Sequence, residues 1–143
     1  MEESQDIEFK ERWNDENLKT LCAFANGNGG VLFLGIRNDG TPVGVENPEE
    51  LLETLPNKIR NNLGIVPDIT LETLEGKKVI RIEIKSYEIP VSYRGRFYVR
   101  SGSTTQEISG YDLAKIIMKK LQISWDSLLS EAGIEELDEV SVE

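Results

Sequence analysis

The run Val31-Leu32-Phe33-Leu34-Gly35-Ile36 is continuous and apolar, with two β-branched residues and one aromatic. A strand of this kind is buried on both faces, so the chain must supply packing layers on either side of it. Upstream, Leu18, Leu21, Cys22 and Ala25 recur at helical spacing behind Asn14. That pattern predicts a helix over 15–25, with Asn14 as N-cap and Asp15 and Glu16 in the first turn. Between helix and strand lies Asn26-Gly27-Asn28-Gly29-Gly30. Glycine-rich loops cradle phosphate when a strand precedes them and a helix follows, because the helix N-terminus supplies amide donors and a positive dipole end. Here the order is reversed, and no Gly-Lys-Ser or Gly-Lys-Thr is present. The loop reads as bending backbone, with Gly27 a left-handed helix cap and Gly29-Gly30 a tight entry to the strand.

The other elements follow from periodicity and turn chemistry. Ile7 and Phe9 alternate with Asp6, Glu8 and Lys10, which predicts a first strand with one buried face. Asn38-Asp39-Gly40 is a turn, after which Thr41 to Val45 returns as a partner strand. Asn47 caps a second helix with Pro48 at its first position; it carries Leu51, Leu52, Leu55 and Ile59, and Pro56 kinks or ends its first part. Ile69-Leu71-Thr73 and Val79-Ile80-Ile82-Ile84 form a hairpin about Glu75-Gly76-Lys77, and Val91 to Val99 a second one about Arg94-Gly95. Residues 101–105 read as a polar loop. Ser109 then caps a helix with Leu113, Ile116, Ile117 and Leu121 on one face and Lys115, Lys119 and Lys120 exposed.

A chain of 143 residues is one domain's worth and buries about two-thirds of its unfolded surface without staples. One cysteine excludes an internal disulfide framework, and the absence of histidine argues against zinc of the usual kind. The acidic N-terminus is unlike a secretion signal, and no apolar stretch approaches the roughly 20 residues of a membrane span, so a soluble, cytoplasmic protein is expected, with no membrane partner. Net charge is −10, but residues 124–143 hold seven acids and no Lys or Arg, leaving −3 for the rest. By contrast Lys77 to Arg100 holds seven cations against Glu83 and Glu88. A basic segment inside an acidic chain is compatible with a polyanionic partner. Residues 1–122 are read as the domain and 123–143 as an acidic tail or linker, unless Trp125, Leu128 and Leu129 dock it.

Two groups of residues carry chemistry. Glu3, Asp6 and Glu8 lie together, and Glu8-Phe9-Lys10 has the Glu-x-Lys form of many metal-dependent nucleases. Strand alternation puts Asp6, Glu8 and Lys10 on one face, where carboxylates share Mg²⁺ or Mn²⁺ and a lysine orients water. A solvated strand face of mixed charge has the same pattern. The second group is the hairpin, in which Arg94, Arg96 and Arg100 pair with phosphates, Ser101, Ser103 and Thr104 add hydroxyl donors, and Tyr93, Phe97 and Tyr98 stack on bases. A surface hairpin with arginines outside and aromatics in the core looks similar.

Three blocks together resemble one family: Glu3 to Lys10, Phe24 to Ile36, and Tyr98 to Thr105. They are similar to the opening, central and third motifs of the Schlafen-type Alba_2 domain, found at the N-terminus of bacterial and archaeal transcriptional regulators and helicase-related, divergent AAA-labelled proteins. The resemblance spans about Glu3 to Lys120. It implies an α+β fold with a mixed, largely antiparallel sheet flanked by helices, and nucleic-acid binding, DNA more than RNA, with no cofactor. It also implies a longer parent protein whose other part supplies ATP-binding or winged-helix modules. Animal relatives include endoribonucleases with two glutamates and an aspartate, which implies a runner-up reading: a Mg²⁺- or Mn²⁺-dependent ribonuclease with Glu3 and Glu8 on the metal, Asp39 as third acid and Lys10 assisting. In those relatives the aspartate follows the central strand directly, where this chain has Arg37-Asn38 and Asp39 two positions late. A third reading is a protein-interaction or dimerisation platform, a homodimer included.

Overall fold

In the computed structural model, which describes residues 2–132, the apolar run forms the axis on which two layers meet. Its strand β2 (Gly30–Leu34) lies in a four-stranded sheet of order β1-β2-β4-β3, built with β1 (Ile7–Lys10), β3 (Asp68–Leu74) and β4 (Lys77–Ile84). β1 runs parallel to β2, and the other pairs are antiparallel. Alternate β2 side chains go to opposite faces, as the pleat requires. Leu32 and Leu34 join the main core with Leu21, Phe24, Ile80 and Ile82, whereas Phe33 joins a second cluster with Phe9, Ile36 and Val79. The Phe9 and Phe33 rings sit 6.0 Å apart, tilted by 57°.

Helix α1 (Asn17–Asn26) has nine of its ten residues buried because it touches both sheets. The second sheet is three-stranded and antiparallel, of order β5-β6-β7, formed by β5 (Ser92–Tyr93), β6 (Arg96–Ser101) and β7 (Thr104–Ile108). Helix α2 (Pro48–Leu63) lays Leu55, Ile59 and Leu63, at i, i+4 and i+8, against the first sheet. The content is α+β, as the family resemblance implies, but the strands divide between two sheets instead of one. No helix among the described residues is long and apolar enough to cross a membrane.

Several local expectations are corrected. Gly27 is the C-cap but has φ −106, and the left-handed residue is Gly29 at φ 82. Its amide reaches the Phe24 carbonyl at 2.9 Å, which closes the turn. Asn14 does not cap directly; the chain enters α1 through a turn in which Asn14 Oδ1 accepts the Glu16 amide and the Asn14 amide donates to Asn17 Oδ1. Asn47 adopts φ 50 and bonds Glu50 through its side chain instead of capping an amide. Thr41 to Val45 makes one bridge, Ile36 to Pro42, and no strand. Pro56 neither ends nor divides α2, because Leu55 and Ile59 anchor both sides of it: two buried aliphatic side chains contribute about 3–6 kcal/mol, against about 3 kcal/mol for an interior proline. The first strand is not half solvated, since Glu8 is buried. Residues 101–105 are a turn at Gly102 followed by the start of β7, as the Ser101 to Thr104 pairing shows.

Helix α3 (Gly110–Ala132) is longer than predicted and runs unbroken across position 122. Leu113, Ile116 and Ile117 are half-buried as one face, but Leu121 is exposed and Lys120 is buried, the reverse of expectation. Of the three residues considered for docking, Trp125 and Leu128 are exposed and Leu129 is half-buried. The acidic residues beyond Ala132 lie outside the described residues.

Gly30 faces the buried Phe24 ring so closely that a Cβ there would lie 2.7 Å or less from three ring atoms. Gly30→Ala is expected to cost about 2–3 kcal/mol by overpacking, read as a lower urea midpoint with unchanged m-value.

Candidate functional site

The N-terminal carboxylates come together only in part. Glu8 pairs with Leu32 across the β1–β2 ladder, and its carboxylate lies 3.1 Å from Arg100 Nη2 and 3.5 Å from Lys10 Nζ. Glu3 reaches back to accept the Phe9 amide at 3.0 Å. Burial pushes the Glu8 pKa up and the Glu3 charge adds to this; Arg100 and Lys10 oppose it. Asp39 stands elsewhere, seven residues beyond the Leu32 partner of Glu8, in the turn after the strand. It accepts the Thr41 amide at 2.9 Å, and hydrogen bonds from Thr41 hold its carboxyl below the usual range.

A divalent-cation centre of this kind needs oxygens that converge free of competing cations. Both Glu8 oxygens face a cation, one Arg100 and the other Lys10. Among the described residues no group of three or more His, Cys, Asp or Glu is placed to hold a metal ion. This donor set does not fit the metal, and no catalytic step is built on it.

Arg100 has a structural task. Of its five donors, four are engaged: Nε to the Gln5 carbonyl at 3.1 Å, Nη1 to Thr105 Oγ1 at 3.0 Å, and Nη2 to both the Ser4 carbonyl at 2.9 Å and Glu8. The guanidinium also sits 5.3 Å over the Phe24 ring, and the side chain is 3 % exposed. It is thereby removed from the phosphate-contacting group expected of it.

Arg94 and Arg96 do lie on the surface, at the two-residue turn where Arg94 and Gly95 take φ 54 and 75. That mirror-image turn matches the right-handed strand twist, and Arg96 follows it as the first residue of β6. Tyr93 and Tyr98 are buried, so they fill the core instead of waiting for bases. Their rings still shape the surface: Arg94 lies 5.3 Å over Tyr93, and Lys19, from α1, lies 5.7 Å over Tyr98. Glu16 and Glu107 complete a groove of about 220 Å³, pairing with Lys19 at 2.6 Å and Arg96 at 3.1 Å. Arg94 has no such ion pair among the described residues. Ser101, Ser103 and Thr104 are at the far end of six-residue β6, about 17 Å away, where Thr104 bonds the Ser101 carbonyl. The expected contact set therefore divides into Arg94 and Arg96 at one end, the hydroxyls at the other, and Arg100 inside.

Lys19 and Asn26 went unread in the sequence. Asn26 is the staple that holds α1 to the second sheet: its Nδ2 donates to the Val91 and Tyr98 carbonyls at 2.9 Å each, and its Oδ1 accepts the Val91 amide at 2.6 Å. The available signal was an Asn that closes the apolar run Leu21 to Ala25 in the last turn of the helix. Cys22 beside it donates to the same Val91 carbonyl, and burial pushes its thiol up to about 11.

The sequence model of the family described as "Schlafen, AlbA_2" matches residues 3–109. The fold is similar to that of the DIP2311 protein from Corynebacterium diphtheriae, with 21 % identity and a TM-score of 0.60, covering 73 % of this chain and 22 % of that one. The chain thus spans about a fifth of that protein's length. It is also similar to the N-terminal domain of the "Putative ATP-dependent DNA Helicase RecG-related Protein" from Nitrosomonas europaea, with 26 % identity and a TM-score of 0.57, covering 77 % of this chain and 87 % of that one. No curated protein matches the sequence.

Removing Arg100 leaves Glu8 buried beside Glu3 without its guanidinium. Arg100→Met is expected to lose about 3–5 kcal/mol in urea unfolding, and Glu8→Gln about 1–2 kcal/mol, with strong non-additivity in the double variant. Because the folded Glu8 pKa is raised, its contribution favours folding at low pH and declines as pH rises from the unfolded value through the folded one. Glu8→Gln should flatten that part of the stability profile.

Proposed function

The chain belongs to the Schlafen AlbA_2 family, and from that premise we propose that it is a nucleic-acid-binding module, with DNA as the preferred partner, serving a helicase-related or transcription-regulating protein. The observation that carries this reading is the groove at the β5–β6 turn, where Arg94 and Lys19 lie over tyrosine rings and Arg96 stands beside them. Rings beneath the cations restrict their motion, so less side-chain entropy is lost when phosphate is bound. Glu16 and Glu107 neutralise two of the three cations in the free protein, and an incoming phosphate competes with them for Lys19 and Arg96. The helicase association is supported by the likeness to the N-terminal domain of the RecG-related protein. Within such a parent we read residues 1–122 as the binding domain and 123–143 as an acidic tail or linker.

Three phosphate contacts give a defined salt response. Affinity for duplex DNA is expected to fall about 20-fold between 50 and 150 mM salt, from a slope near −0.9 per contact. Arg94→Gln with Arg96→Gln should lower that slope by about two, measured by fluorescence anisotropy with duplex DNA, single-stranded DNA and structured RNA. Affinity that ignores salt or survives the double substitution would defeat the assignment. Tighter binding to structured RNA than to either DNA would overturn the partner.

A further inference from the structure

Lys120 is an electrostatic anomaly. It is 8 % exposed, yet it carries no ion pair among the described residues, and buried lysines are rarely left without a counter-charge. Its ammonium donates to the Tyr87 carbonyl, and its other two donors have no acceptor among the described residues. It lines a cleft of about 390 Å³ between α3 and the glycine loop 27–29, with Lys119 beside it and the exposed Asn28 opposite. Three cations line this cleft against one acid, the exposed Asp6. One of the three, Arg100, is neutralised by Glu8, so the uncompensated charge belongs to Lys119 and Lys120. Ile116 and Ile123 give the same cleft an apolar wall.

We propose that this cleft binds the phosphate group of a nucleotide, free or at the end of a strand, with Lys120 as buried counter-charge, Lys119 and Asn28 as flanking donors, and the isoleucines against the sugar or base. The volume lies within the range of small-ligand sites, and the mixture of one apolar wall with a few polar groups is the usual composition of such sites. Desolvation lowers the Lys120 pKa, and an anion in the cleft would oppose that shift. The site is separate from the groove at Arg94 and Arg96, so it stands or falls without the proposed function.

The test titrates the full chain with inorganic phosphate and with adenosine monophosphate, following amide NMR shifts, and compares 5′-phosphorylated with 5′-hydroxyl oligonucleotides. Saturable shifts at Asn28, Lys119 and Lys120 are expected. Lys120→Met should weaken them at least tenfold, whereas Arg94→Gln with Arg96→Gln leaves them unchanged. If Lys120→Met loses its circular dichroism spectrum, Lys119→Gln is read for the same direction of change. Preference for the 5′-phosphorylated strand assigns the site to strand ends; equal strand affinity with adenosine monophosphate still bound assigns it to free nucleotides. Absence of oligonucleotide binding with these shifts retained would fault the proposed function alone. No saturable shift in the wild type, or an unchanged affinity in a folded Lys120→Met, would overturn the site.

Discussion

Arg100 is the joint on which the rest of the structure depends. Its guanidinium ties the carbonyls of Ser4 and Gln5 and the Glu8 carboxylate, all in or beside the first strand, to β6 of the other sheet. The Phe24 ring lies beneath it, and the same ring leaves no room for a side chain at Gly30. One planar cation thereby sets the approach of the N-terminal segment, α1 and both sheets. A lysine could not do this, because a point charge on a flexible stem lacks the fork of donors that reaches several acceptors at once.

The same joint decides what kind of surface the protein presents. A carboxylate neutralised by Arg100 and Lys10 is a poor ligand for a hard cation. The acidic cluster that resembles a nuclease motif is held as a folding contact, and the third acid of that motif is held in its own turn by Thr41. The positive charge of the two proposed sites lies at the β5–β6 turn and on α1, at Arg94, Arg96 and Lys19, and in the cleft under α3, at Lys119 and Lys120. Neither site draws on the net charge of the chain, most of which comes from residues 124–143, where seven acids stand without a Lys or Arg.

Much of the fold was legible because the governing signals were local. The doubly buried β2 run, the two hairpins and the Pro48 start of α2 depend on neighbouring side chains and turn chemistry, and all of them appear. Where prediction went astray, a distant contact overruled a local tendency. Pro56 stays within one helix because Leu55 and Ile59 are anchored on the sheet. The polar run 101–105 enters a strand because β6 offers it a partner edge, a circumstance its composition does not contain.

The sequence by itself determined the strand buried on both faces, the reversed order that denies the glycine loop a phosphate-binding role of the familiar kind, and the family motifs at residues 3–10, 24–36 and 98–105. Only the tertiary structure decided which charges are free. Arg94, Arg96 and Arg100 share one alternating segment, and no rule of spacing says that the third turns inward to meet Glu8, 92 positions away. Lys119 and Lys120 are adjacent, yet one is exposed and the other is buried against the Tyr87 carbonyl. The physical reason is that a charge acquires its role from the groups that surround it in space, and those groups come from elements far apart in the chain.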